Sequence, residues 1–213
     1  MQILLQQVVP TFFENTKNIA SQIWDKNVVC AAHQKIHIIA PSGSGKTSLI
    51  HFLYGLRNDY KGEIFYNQTD IKNSSIENFS TWRQQHISIV FQDLRIFAAQ
   101  TVLQNIEVKR VLAPYHTADK ITAMAARLGI ENKLNKLCNT CSYGEQQRIA
   151  IIRSLMQPFN FILLDEPFSH LDEKNRRIAM ELIEEEAAAR NASIILADLK
   201  RIEYFNADTI FYL

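Results

Sequence analysis

The stretch Ala40-Pro41-Ser42-Gly43-Ser44-Gly45-Lys46-Thr47-Ser48 constrains the chain more than any other, because of what flanks it. Before it runs the apolar segment Lys35 to Ile39, which reads as a strand, and after it the apolar segment Leu49-Ile50-His51-Phe52-Leu53, which reads as a helix. A strand, a glycine-containing loop and a helix in that order make a phosphate-binding loop. Gly43 and Gly45 allow the backbone to curl so that successive N–H groups converge on phosphate oxygens, and the helix start adds its positive dipole end. Lys46 is placed to reach β- and γ-phosphates and Thr47 to offer its hydroxyl to Mg²⁺. The spacing GxxxxGK[ST] holds at every position but the first, where Ala40 stands for glycine. A plain Gly/Ser turn would account for the two glycines but not for Lys46-Thr47 in that register.

A second segment fits the first. Phe161-Ile162-Leu163-Leu164-Asp165-Glu166-Pro167 is an apolar strand ending in adjacent carboxylates, whose side chains point in different directions. Asp165 is the candidate for the Mg²⁺ shell and Glu166 for a general base that polarises an attacking water. Further strand-like runs are Ile87 to Phe91, Ile194 to Ala197 and Thr209 to Leu213, with helical patterns at Lys46 to Gly55, Gly144 to Leu155 and Glu173 to Arg190, the last capped by Asp172. This alternation predicts an α/β fold: a phosphate-loop NTPase core built on a parallel sheet. Gly62 to Asn67 reads as a short antiparallel strand and Thr101 to about Leu137 as mostly helical. The expected organisation is a single domain over residues 1–213, with an ATPase core and β-subdomain in 1–92 and 156–213 and an inserted helical subdomain at about 93–155.

With 47% hydrophobic and 21% charged residues the whole chain is expected to fold. A net charge of +1 argues against nucleic acid as a partner, since phosphate neutralisation needs dense Lys and Arg. Cys30, Cys138 and Cys141 leave a four-ligand zinc site incomplete and are expected as reduced thiols. The N-terminus lacks the cationic start and long apolar run of a signal peptide, and no apolar stretch is long enough to span a bilayer, so any membrane work requires an anchoring partner.

The residues preceding the carboxylate strand, Cys141-Ser142-Tyr143-Gly144-Glu145-Gln146-Gln147-Arg148, resemble the signature LSGGEQQR of the ATP-binding cassette (ABC) family. Val90-Phe91-Gln92-Asp93 is similar to that family's Q-loop segment and Ser169-His170-Leu171-Asp172 to its D-loop, all in the family's order. The resemblance implies ATP and Mg²⁺ bound at Ser42 to Ser48, with Thr47, Gln92 and Asp165 around the metal and Gln92 beside the water site. It implies a head-to-tail homodimer in which Ser142 and Gly144 act on the other copy's nucleotide, and an integral membrane permease that holds the subunit peripherally on the cytoplasmic face of the membrane. Phe91-Gln92-Asp93-Leu94-Arg95 looks most like the lipoprotein-release, macrolide-export and cell-division group. Leu94, Ile96 and Phe97 suit either a groove for a permease helix or ordinary core, and Phe12 or Phe13 either an adenine stack or packing.

Two positions depart from the family pattern. Tyr143 stands where the signature has its first glycine, and Ala197 where the family places a histidine that contacts the γ-phosphate. Loss of one preorganised stabiliser costs about 10²–10³ in rate, so weak hydrolysis with Glu166 as the remaining catalytic carboxylate is expected. Besides the energising subunit, the pattern allows a regulatory module that signals through a membrane protein with little turnover. A cassette ATPase acting on ribosomes or DNA fits less well, since neither a second cassette nor a long coiled-coil insertion is present.

Overall fold

The structure is a computed structural model that describes residues 1–13 and 20–213. Its centre is a five-stranded parallel sheet of β3 (Lys35–Ile39), β6 (Ile87–Val90), β7 (Phe161–Asp165), β8 (Ser193–Asp198) and β9 (Thr209–Tyr212), in the order β6-β7-β8-β3-β9. These are the apolar runs singled out in the sequence. They are apolar throughout because both faces of the sheet are covered. Ile162, Leu164, Ile194 and Leu196 join one core cluster, and Phe161, Leu163, Ile195 and Ala197 join the other, so side chains alternate between two cores along each strand.

The first core is closed by α3 (Val102–Leu112), α4 (Ala118–Arg127), α5 (Tyr143–Leu155) and α6 (Glu173–Ala189). Asp172 caps α6 by accepting the Asn175 N–H at 2.8 Å. Thr101 and Gln104 form a reciprocal capping box at α3, and Ser142 and Glu145 form another at α5. The second core is closed by α1 (Lys46–Leu53) and by a separate antiparallel sheet of β1 (Ile3–Pro10), β2 (Asn27–Cys30), β4 (Tyr60–Tyr66) and β5 (Thr69–Asp70), ordered β2-β1-β4-β5. The antiparallel sheet is larger than the single strand at Gly62 to Asn67 suggested. Strand β1 is bulged at Gln7, whose φ of 47° sits against Gly62, where an added Cβ would lie 2.3 Å from the Gln7 carbonyl. Helix α2 (Ile76–Gln85) has no fully buried residue and packs through Phe79 and Trp82.

Leu94 does not line a surface groove. It is 2% exposed and belongs to the first core, with Ile96 packed against that core, while Phe97 is 52% exposed. The cause is local: Leu94 and Arg95 both adopt positive φ, and Arg153 of α5 donates to both their carbonyls, at 2.5 and 2.8 Å, pinning the turn after β6. All three cysteines are buried free thiols, and burial pushes Cys30 up to about 12.

Candidate functional site

The site lies at the C-terminal ends of the parallel strands, where successive crossovers leave a crevice. Strand β3 delivers Ala40, whose N–H donates to the Asp198 carbonyl at 3.1 Å, and the chain then turns through Gly43 (φ 82°) and Gly45 (φ 87°) into α1. Both glycines occupy the left-handed region that other residues rarely adopt. Trp24, 2% exposed, donates its indole N–H to the Ser44 carbonyl at 3.1 Å, and its ring and that of Phe13 lie 3.2 and 3.3 Å from where a Gly45 Cβ would stand. The loop is thus held from behind by aromatic side chains.

A cavity of about 310 Å³ opens above it, lined by Pro41, Ser42, Gly43, the run Gly45 to Ser48, Gln92, Glu166 and Phe12. Phe12 is 50% exposed there, whereas Phe13 packs inward against Trp24. Lys46 and Glu166 meet across this cavity at 2.5 Å, with side chains only 6% and 12% exposed. Glu166 holds a φ of 45° and donates its N–H to the Ala197 carbonyl at 2.9 Å. A non-glycine residue in that region is strained, a condition that clusters at functional sites.

Thr47 donates its hydroxyl to Oε1 of Gln92 at 3.0 Å. Behind them Asp165 is fully buried, and neither of its carboxylate oxygens has a hydrogen-bond partner. Burial pushes its pKa up to about 6, with Thr47 and Lys46 nearby drawing it only partly back. A hydroxyl, an amide oxygen and an unsatisfied carboxylate are the hard oxygen donors that suit Mg²⁺, so these residues fit the ion the sequence calls for. Asp198, at the end of β8, is likewise raised by burial, and the nearby Glu166 adds to the effect.

Ser142 and Gly144 do not line this cavity. The Ser142 hydroxyl accepts the Glu145 N–H at the start of α5, and a Cβ on Gly144 would stand 2.9 Å from the His170 carbonyl, so Gly144 is a close-packing point within this chain. Tyr143 is 44% exposed, its ring 4.2 Å from the His170 ring and its hydroxyl 3.4 Å from the Gln92 carbonyl. Gln147, fully buried, donates to the Glu166 carbonyl and the Ser169 hydroxyl, both at 3.3 Å, and accepts the His170 N–H at 3.0 Å. Ala197 sits inside β8, fully buried, paired with Asp165 and Ile38. Trp24 was not singled out in the sequence, and Gln147 entered only as part of the signature-like stretch: both act through long-range hydrogen bonds, which leave no local pattern.

The family described as ABC transporter matches residues 25–169. The lipoprotein-releasing system ATP-binding protein LolD of Buchnera aphidicola is 30% identical over 171 residues, 78% of this chain and 75% of that protein. The macrolide export ATP-binding/permease protein MacB of Nitrosomonas europaea is 31% identical over 168 residues, 78% of this chain, which spans 26% of MacB. Among solved structures, a dimeric bacterial ABC transporter cassette superposes with a TM-score of 0.84 over 99% of this chain and 94% of that one, at 23% identity.

Proposed function

The chain belongs to the ABC transporter family as an ATP-binding subunit of the lipoprotein-release and macrolide-export type, and from that premise we propose that it binds Mg-ATP in the phosphate-loop cavity and hydrolyses it slowly to drive a membrane permease. The observation that carries this reading is the convergence on one cavity of Lys46, Glu166, Thr47 and Gln92, with Asp165 buried and unsatisfied just behind them. The loop from Ser42 to Ser48 cradles the phosphates through its backbone N–H groups, and Lys46 neutralises the β- and γ-phosphates. Thr47, Gln92 and Asp165 hold the Mg²⁺, which when bound offsets phosphate charge. Glu166 orients the attacking water and takes its proton as ADP and phosphate form.

The signature residues support a head-to-tail homodimer. Ser142 and Gly144 stay away from the cavity of their own chain, yet the capped start of α5 presents a helix N-terminus suited to a nucleotide held by a second copy. The helical segment of about 93–155 acts as the subdomain that carries it. A permease is supported by a groove of about 470 Å³ between α2 and α3, where Tyr54, Phe79 and the exposed Ile76 and Leu112 lie beside Ser80, Arg83, Gln84 and Lys109. No described helix is long and apolar enough to cross a membrane. In the proposed reading the permease holds the subunit peripherally on the cytoplasmic face, as in the family the sequence resembles.

Slow turnover follows from Ala197, which offers only a methyl group where a γ-phosphate contact is otherwise made. Tyr143 and Ala197 together favour a second reading, a regulatory nucleotide-binding module. Phosphate release by the purified chain separates the two. The energising reading expects slow hydrolysis that Glu166→Gln abolishes while ATP affinity is kept, and loss of ATP binding in Lys46→Ala. ATP binding and dimerisation with no Glu166-dependent hydrolysis would move the assignment to the regulatory module, and no ATP binding at all would remove both.

A further inference from the structure

Arg57 belongs to none of the motifs above, yet it connects two walls of the cavity. It follows α1, and its guanidinium uses three edges at once. Nε donates to Oδ1 of Asp59 at 2.9 Å, Nη2 pairs with Oδ2 of the same carboxylate, and Nη1 donates to the Ser48 hydroxyl at 2.9 Å. Its face stands 5.6 Å from the Phe52 ring and 5.9 Å from the Phe12 ring. Asp59 closes the loop of contacts, because its carbonyl accepts the Thr11 N–H at 3.0 Å and the Thr11 hydroxyl at 3.2 Å. Thr11 immediately precedes Phe12.

The result is a strut between the helix of the phosphate loop and the short turn Thr11–Phe13. The two ends are not equally secure. Ser48 is 8% exposed and fixed by α1, whereas Phe12 is half exposed, on a turn with no buried residue. Phe12 also lines the cavity, where its exposed ring is an aromatic surface on which a base can stack. We propose that Arg57 is a positioning residue for the nucleoside end of the ligand: anchored by Asp59 and Ser48, it holds Phe12 as the wall on which the nucleobase packs. The inference rests on the nucleotide-binding reading above. A guanidinium suits the task because its planar fork can serve a carboxylate and a hydroxyl while its face meets rings; an ammonium has no such plane.

Titration calorimetry of the full chain with Mg-ATP and, separately, with Mg-tripolyphosphate tests the proposal, since tripolyphosphate keeps the phosphates and lacks the nucleoside. Arg57→Ala is expected to weaken ATP about tenfold, the scale of one lost charged hydrogen-bond partner, while tripolyphosphate stays within about twofold of wild type. Arg57→Lys is expected to behave like Arg57→Ala, because charge alone does not build the strut. Unaltered ATP affinity in Arg57→Ala, equal losses for both ligands, or full rescue by lysine would each overturn the inference with phosphate-loop binding left standing. Wild-type protein that binds neither ligand would instead overturn the reading on which it rests.

Discussion

Asp165 shows at the scale of one residue how the site trades stability for binding. Its carboxylate is buried without a partner, and its pKa of about 6 lies above the ordinary 3.8. A carboxyl raised on folding binds protons more tightly in the native state, so its penalty is absent below about pH 4 and complete above about pH 6. Asp165→Asn is therefore expected to stabilise the nucleotide-free protein by about 1–3 kcal/mol at pH 8 and to lose Mg-dependent ATP binding. Denaturant midpoints across pH check this: the advantage should shrink as pH falls from 6 to 4, and an advantage that stays constant with pH would remove burial of charge as its cause. Asp165, Lys46, Thr47 and Gln92 were named from the sequence, the first by its place at a strand end, the next two by the phosphate-loop spacing and Gln92 by resemblance to a family segment, and the fold brings them to one place. Their electrostatic condition was not legible, since burial of a carboxylate depends on what the rest of the chain stacks over it. The same holds for Arg57: its Asp59 partner is two residues away, but the turn of Phe12 and the helix of Ser48 that it also meets are joined by no local pattern.

At the scale of elements, the five parallel strands and the helices α1, α5 and α6 were legible because strands covered on both faces read as unbroken apolar runs. Strands β1 and β2 were not. Their burial alternates, and the bulge at Gln7 breaks even that period. Helix α2 escaped for a related reason: it buries too little to show an apolar stripe. Helix α5 illustrates what its sequence alone did not tell. Gly144 and Gln147 sit on the face that packs on Glu166, Ser169 and His170, so the start of the signature helix and the turn after β7 form one rigid contact. Gly144→Ala forces that contact apart, because backbone rather than a flexible side chain stands 2.9 Å from the new methyl. A stability loss of about 1–3 kcal/mol is expected, with hydrolysis reduced more than ATP affinity. Chemical denaturation beside nucleotide titration reads both, and an unchanged midpoint would show that the contact yields freely.

At the scale of the molecule, the two cores are joined through the sheet, and the helical segment is tied to α6 by charge as well as packing. Glu186 of α6 pairs with His116 at 2.7 Å, Lys120 of α4 at 3.0 Å and Arg190 at 2.6 Å, and Arg190 lies between the rings of Tyr115 and Phe159. Burial alone would raise the Glu186 carboxyl, but hydrogen bonds from His116, Arg190 and Lys120 outweigh it and hold the pKa at about 2. A depressed carboxyl contributes stability above its ordinary value of 4.5, and that contribution fades as pH falls towards 2. Glu186→Gln leaves the nearly buried Arg190 without its counter-charge, so a loss of about 3 kcal/mol is expected at pH 7, shrinking steadily below pH 4.5. Acid titration of both proteins by circular dichroism checks the sign: curves that stay parallel down to pH 3 would exclude the pairing as the source.

The contact between Lys46 and Glu166 links the two halves of the proposed reaction. On that reading one side chain serves phosphate and the other serves water, and because they meet directly, a bound triphosphate competes with Glu166 for the same cation. Substrate binding and the freeing of the base that acts on it are then one event rather than two.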